Sequence, residues 1–132
     1  MIFVDTNVPM YLIGAAHPHK SEARRLIDRA VVDRERLVTD AEVLQEILHR
    51  YTAIGRRDAI QPAFDLLLEI TDDVFAIDRS IVERAKTIVL GYPNLSARDA
   101  IHVATMQVQG ISRIMSFDEG YDPIPGLERL SS

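Results

Sequence analysis

Short apolar runs alternate with longer stretches of helical periodicity, and this alternation constrains the fold more than any other feature of the chain. Ile2-Phe3-Val4 is apolar throughout and runs directly into Asp5-Thr6-Asn7, the composition of a buried strand followed by a turn. Thr6 or Asn7 is placed to cap a helix that begins near Val8-Pro9, where proline is tolerated, and ends by Gly14. From His19 to about Arg34, Ala23, Leu26, Ile27, Ala30 and Val31 recur at helix spacing with arginines between them. Leu37-Val38 reads as a second strand. Thr39-Asp40-Ala41-Glu42 then has the T-x-x-E form of a capping box, opening a helix whose apolar stripe is Val43, Leu44, Ile47, Leu48 and Tyr51.

A further helix is expected from Arg57 to about Ile70, disturbed at its start by Pro62. Val74-Phe75-Ala76-Ile77 reads as a third strand, and Asp78 as the cap of a helix reaching about Leu90. Ser96-Ala97-Arg98-Asp99 opens a last helix that runs to Gly110. A strand follows at Arg113-Ile114-Met115-Ser116, and the Pro- and Gly-containing tail closes on a short strand near Leu127. Strands this short between helices predict an α/β fold, a mainly parallel sheet covered on both faces with right-handed crossovers. The 132 residues suit a single domain over 1–132, with no repeat or linker. Ligands in such sheets bind beyond the carboxyl ends of the strands, so the residues just after each strand are where chemistry is expected.

Composition narrows the chemistry. Hydrophobic residues make up 47% and charged residues 27%, a globular rather than a disordered balance. There is no apolar leader and no run approaching the ~20 residues of a membrane span, which points to a cytoplasmic protein without membrane attachment. Absence of cysteine excludes disulfides, thiolate metal sites and a cysteine nucleophile. The histidines at 17, 19, 49 and 102 form no HExxH pattern, which argues against a histidine-built zinc site. Net charge is −5, and the excess acid lies in residues 61–132; the basic residues of the first half include Lys20, Arg24, Arg25, Arg29, Arg50, Arg56 and Arg57. These arginines are either solvated helix faces or a local basic surface beside an acidic pocket.

Asp5 and Asp118 each follow a strand, Asp99 lies in the first turn of a helix, and Glu46 in the second turn of another. Gathered at one sheet edge, four carboxylates would repel strongly unless a hard divalent cation joined them. Mg²⁺ or Mn²⁺ suits such oxygens and also binds substrate phosphates, which implies metal-assisted phosphodiester hydrolysis. Each acid also has a purely local reading: an Asx turn for Asp5, a capping partner of Ser96 for Asp99, and a turn for Asp118. Between Glu42 and Glu46, the capping box accounts for Glu42, and Glu46 lies about 40° nearer the apolar stripe, so Glu46 is preferred. Arg50, one turn beyond, is its local ion-pair partner. Thr6, Asn7 and Ser116 are candidate supporting residues, with capping or backbone satisfaction as their local alternatives. His102 is a packed histidine or an outer donor, and Asp122 a peripheral carboxylate or a loop residue.

Val4-Asp5-Thr6-Asn7-Val8, Glu42-Val43-Leu44-Gln45-Glu46-Ile47, Ser96-Ala97-Arg98-Asp99-Ala100-Ile101-His102-Val103-Ala104 and Met115-Ser116-Phe117-Asp118, in that order, resemble the PIN domain. The similarity spans nearly the whole chain and is greatest to the VapC-type toxins of toxin–antitoxin modules. It implies a Rossmann-like three-layer α/β/α sandwich and a Mg²⁺- or Mn²⁺-dependent endoribonuclease, with the family's acidic residues at Asp5, Glu46, Asp99 and Asp118. Ser116 stands where the family often has threonine or asparagine. The resemblance further implies an RNA substrate, a homodimer and inhibition by a cognate antitoxin.

Other classes fit less well. A receiver domain needs paired acids after its first strand and a lysine after a late strand; Asp5 has no acidic neighbour, and the only lysines are Lys20 and Lys86. An aspartyl phosphatase needs Asp-x-Asp where this chain has Asp5-Thr6-Asn7. A catalytically silent PIN scaffold that only binds RNA or a protein partner would have no use for all four acids.

Overall fold

The computed structural model describes residues 1–132. Strands β1 (Ile2–Val4), β2 (Leu37–Asp40), β3 (Asp73–Phe75), β4 (Arg113–Met115) and β5 (Glu128–Leu130) form one sheet in the order β3-β2-β1-β4-β5. Every pairing is parallel, with Phe3 opposite both Val38 and Ile114. Helices α1 (Asn7–Ile13), α2 (Pro18–Val32), α3 (Ala41–Ala53), α4 (Ile60–Ile70), α5 (Arg79–Gly91) and α6 (Ala97–Gln109) supply the crossovers and cover the sheet. The arrangement is the covered parallel sheet that the alternation predicts and the Rossmann-like α/β/α sandwich that the resemblance implies.

The central strands are buried along their whole length, which explains why they read as continuous apolar runs rather than alternating ones. Phe3, Val4, Val38 and Ile114 meet Val43, Ile47, Leu67 and Val103 in one continuous core. Gly110 ends α6 with φ 70°, a left-handed conformation that favours glycine.

Three local expectations are corrected. No Thr39 capping box exists: Thr39 belongs to β2, and its hydroxyl donates to the Val4 carbonyl at 3.0 Å. The α3 cap is Asp40, whose Oδ1 accepts the Val43 N–H at 3.0 Å. The stretch from Arg57 is not one helix; a 3₁₀ turn over Arg57–Ala59 precedes α4, whose third residue is Pro62. The third strand starts one residue earlier than expected and stops at Phe75, leaving Ala76-Ile77 outside it.

Strand order places the site. The chain leaves β1 toward β2 on one side, then returns across the sheet to add β4 on the other. The crevice beyond the carboxyl ends of β1 and β4 is therefore a topological switch point, the place where open α/β sheets bind ligands.

Candidate metal centre

Asp5 leaves β1 into this crevice and is 3% exposed. Its Oδ1 accepts the Thr6 N–H at 2.8 Å, and its Oδ2 accepts the Ser116 hydroxyl at 2.6 Å. Ser116 follows β4, so this bond ties the ends of two adjacent strands together. Asn7 adds to the tie, donating from Nδ2 to the Ser116 hydroxyl at 3.3 Å and accepting the Phe117 N–H on Oδ1.

Asp99 arrives from α6. Ser96 caps that helix by accepting the Asp99 N–H at 3.1 Å, but the Asp99 carboxylate does not turn back to complete a box. Its Oδ1 instead accepts the hydroxyl of buried Tyr121 at 2.8 Å. Glu46 arrives from α3, and its Oε1 accepts the Thr6 hydroxyl at 3.2 Å. Thr6 stands at the α1 cap position yet makes no capping bond with its side chain. Both capping readings give way for one reason: a longer-range partner at the sheet edge takes the side chain.

One ligand atom each from Asp5, Glu46, Asp99 and His102 lies within 4.8 Å of all the others. Asp118 does not join this inner group. It is exposed, accepts the Gly120 N–H at 2.8 Å, and lines the same open cavity of about 570 Å³ with Glu46, Asp99, Arg50 and Arg98. A Cβ at Gly120 would stand 3.0 Å from Asp118 Oδ1, so a larger residue there would push the Asp118 carboxylate aside. Glu42 lies on α3 one turn before Glu46 and faces Arg98 at 3.8 Å. Arg50 lies 3.8 Å from Glu46. Asp122 is held by Arg129 at 2.7 Å, away from the cluster.

The electrostatics record the crowding. Burial, then the Asp5 charge, pushes Asp99 up to about 7, although the Tyr121 hydroxyl opposes the shift. Burial also raises Asp5, against the pull of His102 and the Ser116 hydroxyl. Glu46 is lowered: burial works against its charge, but His102, Arg50 and Thr6 outweigh it. His102 is raised well above its ordinary value, because Asp40, Glu46 and Asp5 together overcome the cost of burying a charge.

Sequence reasoning missed two partners. Asp40 lies at the carboxyl end of β2, the edge the strand rule nominates, but the T-x-x-E pattern assigned its segment to a helix cap. Tyr121 carries no local signal; it meets Asp99 only through the 3₁₀ turn over Glu119–Tyr121.

The donor set fits a hard divalent cation. Three carboxylates converge, two of them are destabilised as anions by burial, and a cation would offset the charge they share. An α/β/α sandwich with buried acids at its switch point is the arrangement of an α/β protein suited to hold a divalent cation there. The PIN domain family matches residues 2–127, and the chain belongs to that family. It is 58% identical over 131 residues to ribonuclease VapC13 of Mycobacterium tuberculosis, covering 99% of this chain and 100% of that protein. Among solved structures, it superposes on Mycobacterium tuberculosis VapC20, a sarcin–ricin loop cleaving toxin, with a TM-score of 0.78 at 22% identity, covering 95% of each chain. A chain of a toxin–antitoxin complex from Klebsiella pneumoniae gives a TM-score of 0.71 at 19% identity, covering 96% of this chain and 95% of that one. At those identities the likeness to solved structures is one of fold.

Proposed function

We propose that this protein is a divalent-metal-dependent endoribonuclease, the toxin of a toxin–antitoxin pair. The observation that carries the reading is the convergence of Asp5, Glu46 and Asp99 from three separate elements onto one spot at the switch point. The 58% identity to a VapC ribonuclease over essentially the full chain supports the substrate class.

In this reading Asp5, Glu46 and Asp99 hold Mg²⁺ or Mn²⁺, and Asp118 completes the site from the cavity wall. When bound, the cation supplies a Lewis acid that acidifies water and offsets charge on the pentacovalent phosphorus. Ser116, Asn7 and the Thr6 N–H fix the orientation of Asp5 so that its carboxylate does not swing with each turnover. Thr6 does the same for Glu46. Asp118, exposed at the cavity wall, accepts the proton released as water adds to phosphorus and one P–O ester bond breaks. Arg50 and Arg98, half-exposed at the cavity wall, contact phosphates flanking the one that is cut. A net charge of −5 is compatible with RNA binding because the cation reverses the local sign.

The likeness to a toxin–antitoxin complex supports an antitoxin partner. A homodimer with one nuclease domain per chain is part of the same proposal. No helix is long and apolar enough to cross a membrane, and cytoplasmic action is part of the proposal. The test is cleavage of RNA by purified protein. Activity supported by Mg²⁺ or Mn²⁺, abolished by EDTA and by Asp5→Asn, is expected; cleavage that persists in EDTA overturns the mechanism.

A further inference from the structure

His102 lies one turn beyond Asp99 on α6, fully buried, with its ring 5.3 Å from that of Phe3. Its two ring nitrogens have different surroundings. Nδ1 stands 2.9 and 3.1 Å from the two oxygens of buried Asp40. An ionised carboxylate only accepts, so Nδ1 carries the hydrogen. Nε2 is left as a buried side-chain atom with no hydrogen-bond partner. It points between Asp5 Oδ1 at 3.8 Å and Glu46 Oε1 at 3.7 Å, beyond hydrogen-bond reach of either.

A buried polar atom without a hydrogen-bond partner is unfavourable, and one faced by two carboxylates is placed to share a cation with them. The spacing suits one. Donors about 2.1 Å from an octahedral centre stand roughly 3 Å apart when adjacent and roughly 4.2 Å when opposite. The separations from Nε2 fall between those limits. The second observation is Asp40 itself. Histidines that bind metals through one nitrogen typically give the other N–H to a carboxylate, which fixes tautomer and ring orientation. Asp40 cannot easily move, because its Oδ1 also caps α3 through the Val43 N–H.

We infer that His102 Nε2 is a direct ligand of the cation held by Asp5, Glu46 and Asp99, oriented by Asp40, so that the centre mixes nitrogen with oxygen and favours Mn²⁺ over Mg²⁺. The inference rests on the metal-dependent reading above and deepens it. Imidazole suits first-row transition ions, whereas a site of carboxylates and water alone also accepts Mg²⁺ readily.

Electron spin-echo envelope modulation of the wild-type protein loaded with substoichiometric Mn²⁺ tests the assignment without any variant. Modulation from a directly bound imidazole ¹⁴N is expected. Asp40→Asn, which keeps a competent helix cap, should retain that modulation but weaken Mn²⁺ binding by about 10–100-fold in calorimetry. His102→Gln should abolish the modulation and lower the ratio of Mn²⁺ to Mg²⁺ affinity. Bound Mn²⁺ without nitrogen modulation overturns the role of His102 and leaves the carboxylate site standing. No Mn²⁺ binding at all overturns both readings.

Discussion

The Ser116 hydroxyl donates to Asp5 Oδ2 across 2.6 Å, joining the carboxyl ends of β4 and β1 at the point where the sheet changes direction. The same hydroxyl oxygen accepts the Asp118 N–H at 3.0 Å. One small side chain thus positions an inner acid and the outer one together. Replacing it should disturb both. Ser116→Ala removes a hydrogen bond to a buried carboxylate, a loss of about 1.5–3 kcal/mol for a charged acceptor. Chemical denaturation should show that loss, and cleavage should fall with it. Unchanged activity would mean that Asp5 keeps its orientation through the Thr6 and Asn7 contacts alone.

Asp99→Asn separates stability from activity. The asparagine oxygen can still accept the Tyr121 hydroxyl, but the charge is gone. Relief of burial and of repulsion from Asp5 should stabilise the metal-free protein by roughly 1–3 kcal/mol near pH 8, several degrees in Tm. Cleavage should disappear. A variant that is both less stable in EDTA and still active would contradict the assignment on both counts.

The acids also set a pH dependence for the metal-free chain. Asp99 titrates near 3.8 when unfolded and at about 7 when folded, so the folded state binds more protons between those values. Stability must then decline as pH rises through that window. Asp5, also raised, has the same sign. His102 adds to it: its contribution is complete below about 6.5 and is lost as pH climbs through its higher folded value. Glu46, lowered, acts oppositely but only below about 4.5. Thermal midpoints in EDTA should therefore be higher at about pH 5.5 than at about pH 8. A flat or rising profile would show that the cluster is not strained as described.

Glu42 and Glu46 sit one turn apart on α3 and should behave differently. Glu46→Gln removes a residue of the inner cluster and should reduce cleavage by more than the roughly 10–100-fold typical of an outer-sphere change. Glu42→Gln removes a half-buried first-turn acid whose carboxyl is raised by burial against the pull of His102 and Arg98, so stability should hold or rise slightly while activity is spared. Measured kcat/KM for the two variants decides between them; the reverse pattern would move the ligand to Glu42.

The architecture was legible because short buried strands leave continuous apolar runs and amphipathic helices leave a 3.6-residue period. Asp5, Asp99 and Glu46 were legible by position, since each sits at a strand end or on a helix face turned to the sheet edge. Their partners were not. Thr6 and Asp99 both occupy places where local capping is the ordinary expectation, and only the three-dimensional arrangement gives Thr6 to Glu46 and Asp99 to Tyr121. The Thr39 pattern misled for a related reason. Its hydroxyl has a neighbouring-strand carbonyl to reach, so the cap passes to Asp40, and with it the carboxylate that holds His102.

The catalytic reading depends on one cation being shared among side chains from three elements. A crystal soaked in Mn²⁺ and measured at a wavelength that reveals manganese tests this most directly. An anomalous peak about 2.2 Å from an oxygen of each of Asp5, Glu46 and Asp99 is the predicted result. An empty cluster at a Mn²⁺ concentration that supports RNA cleavage would contradict it.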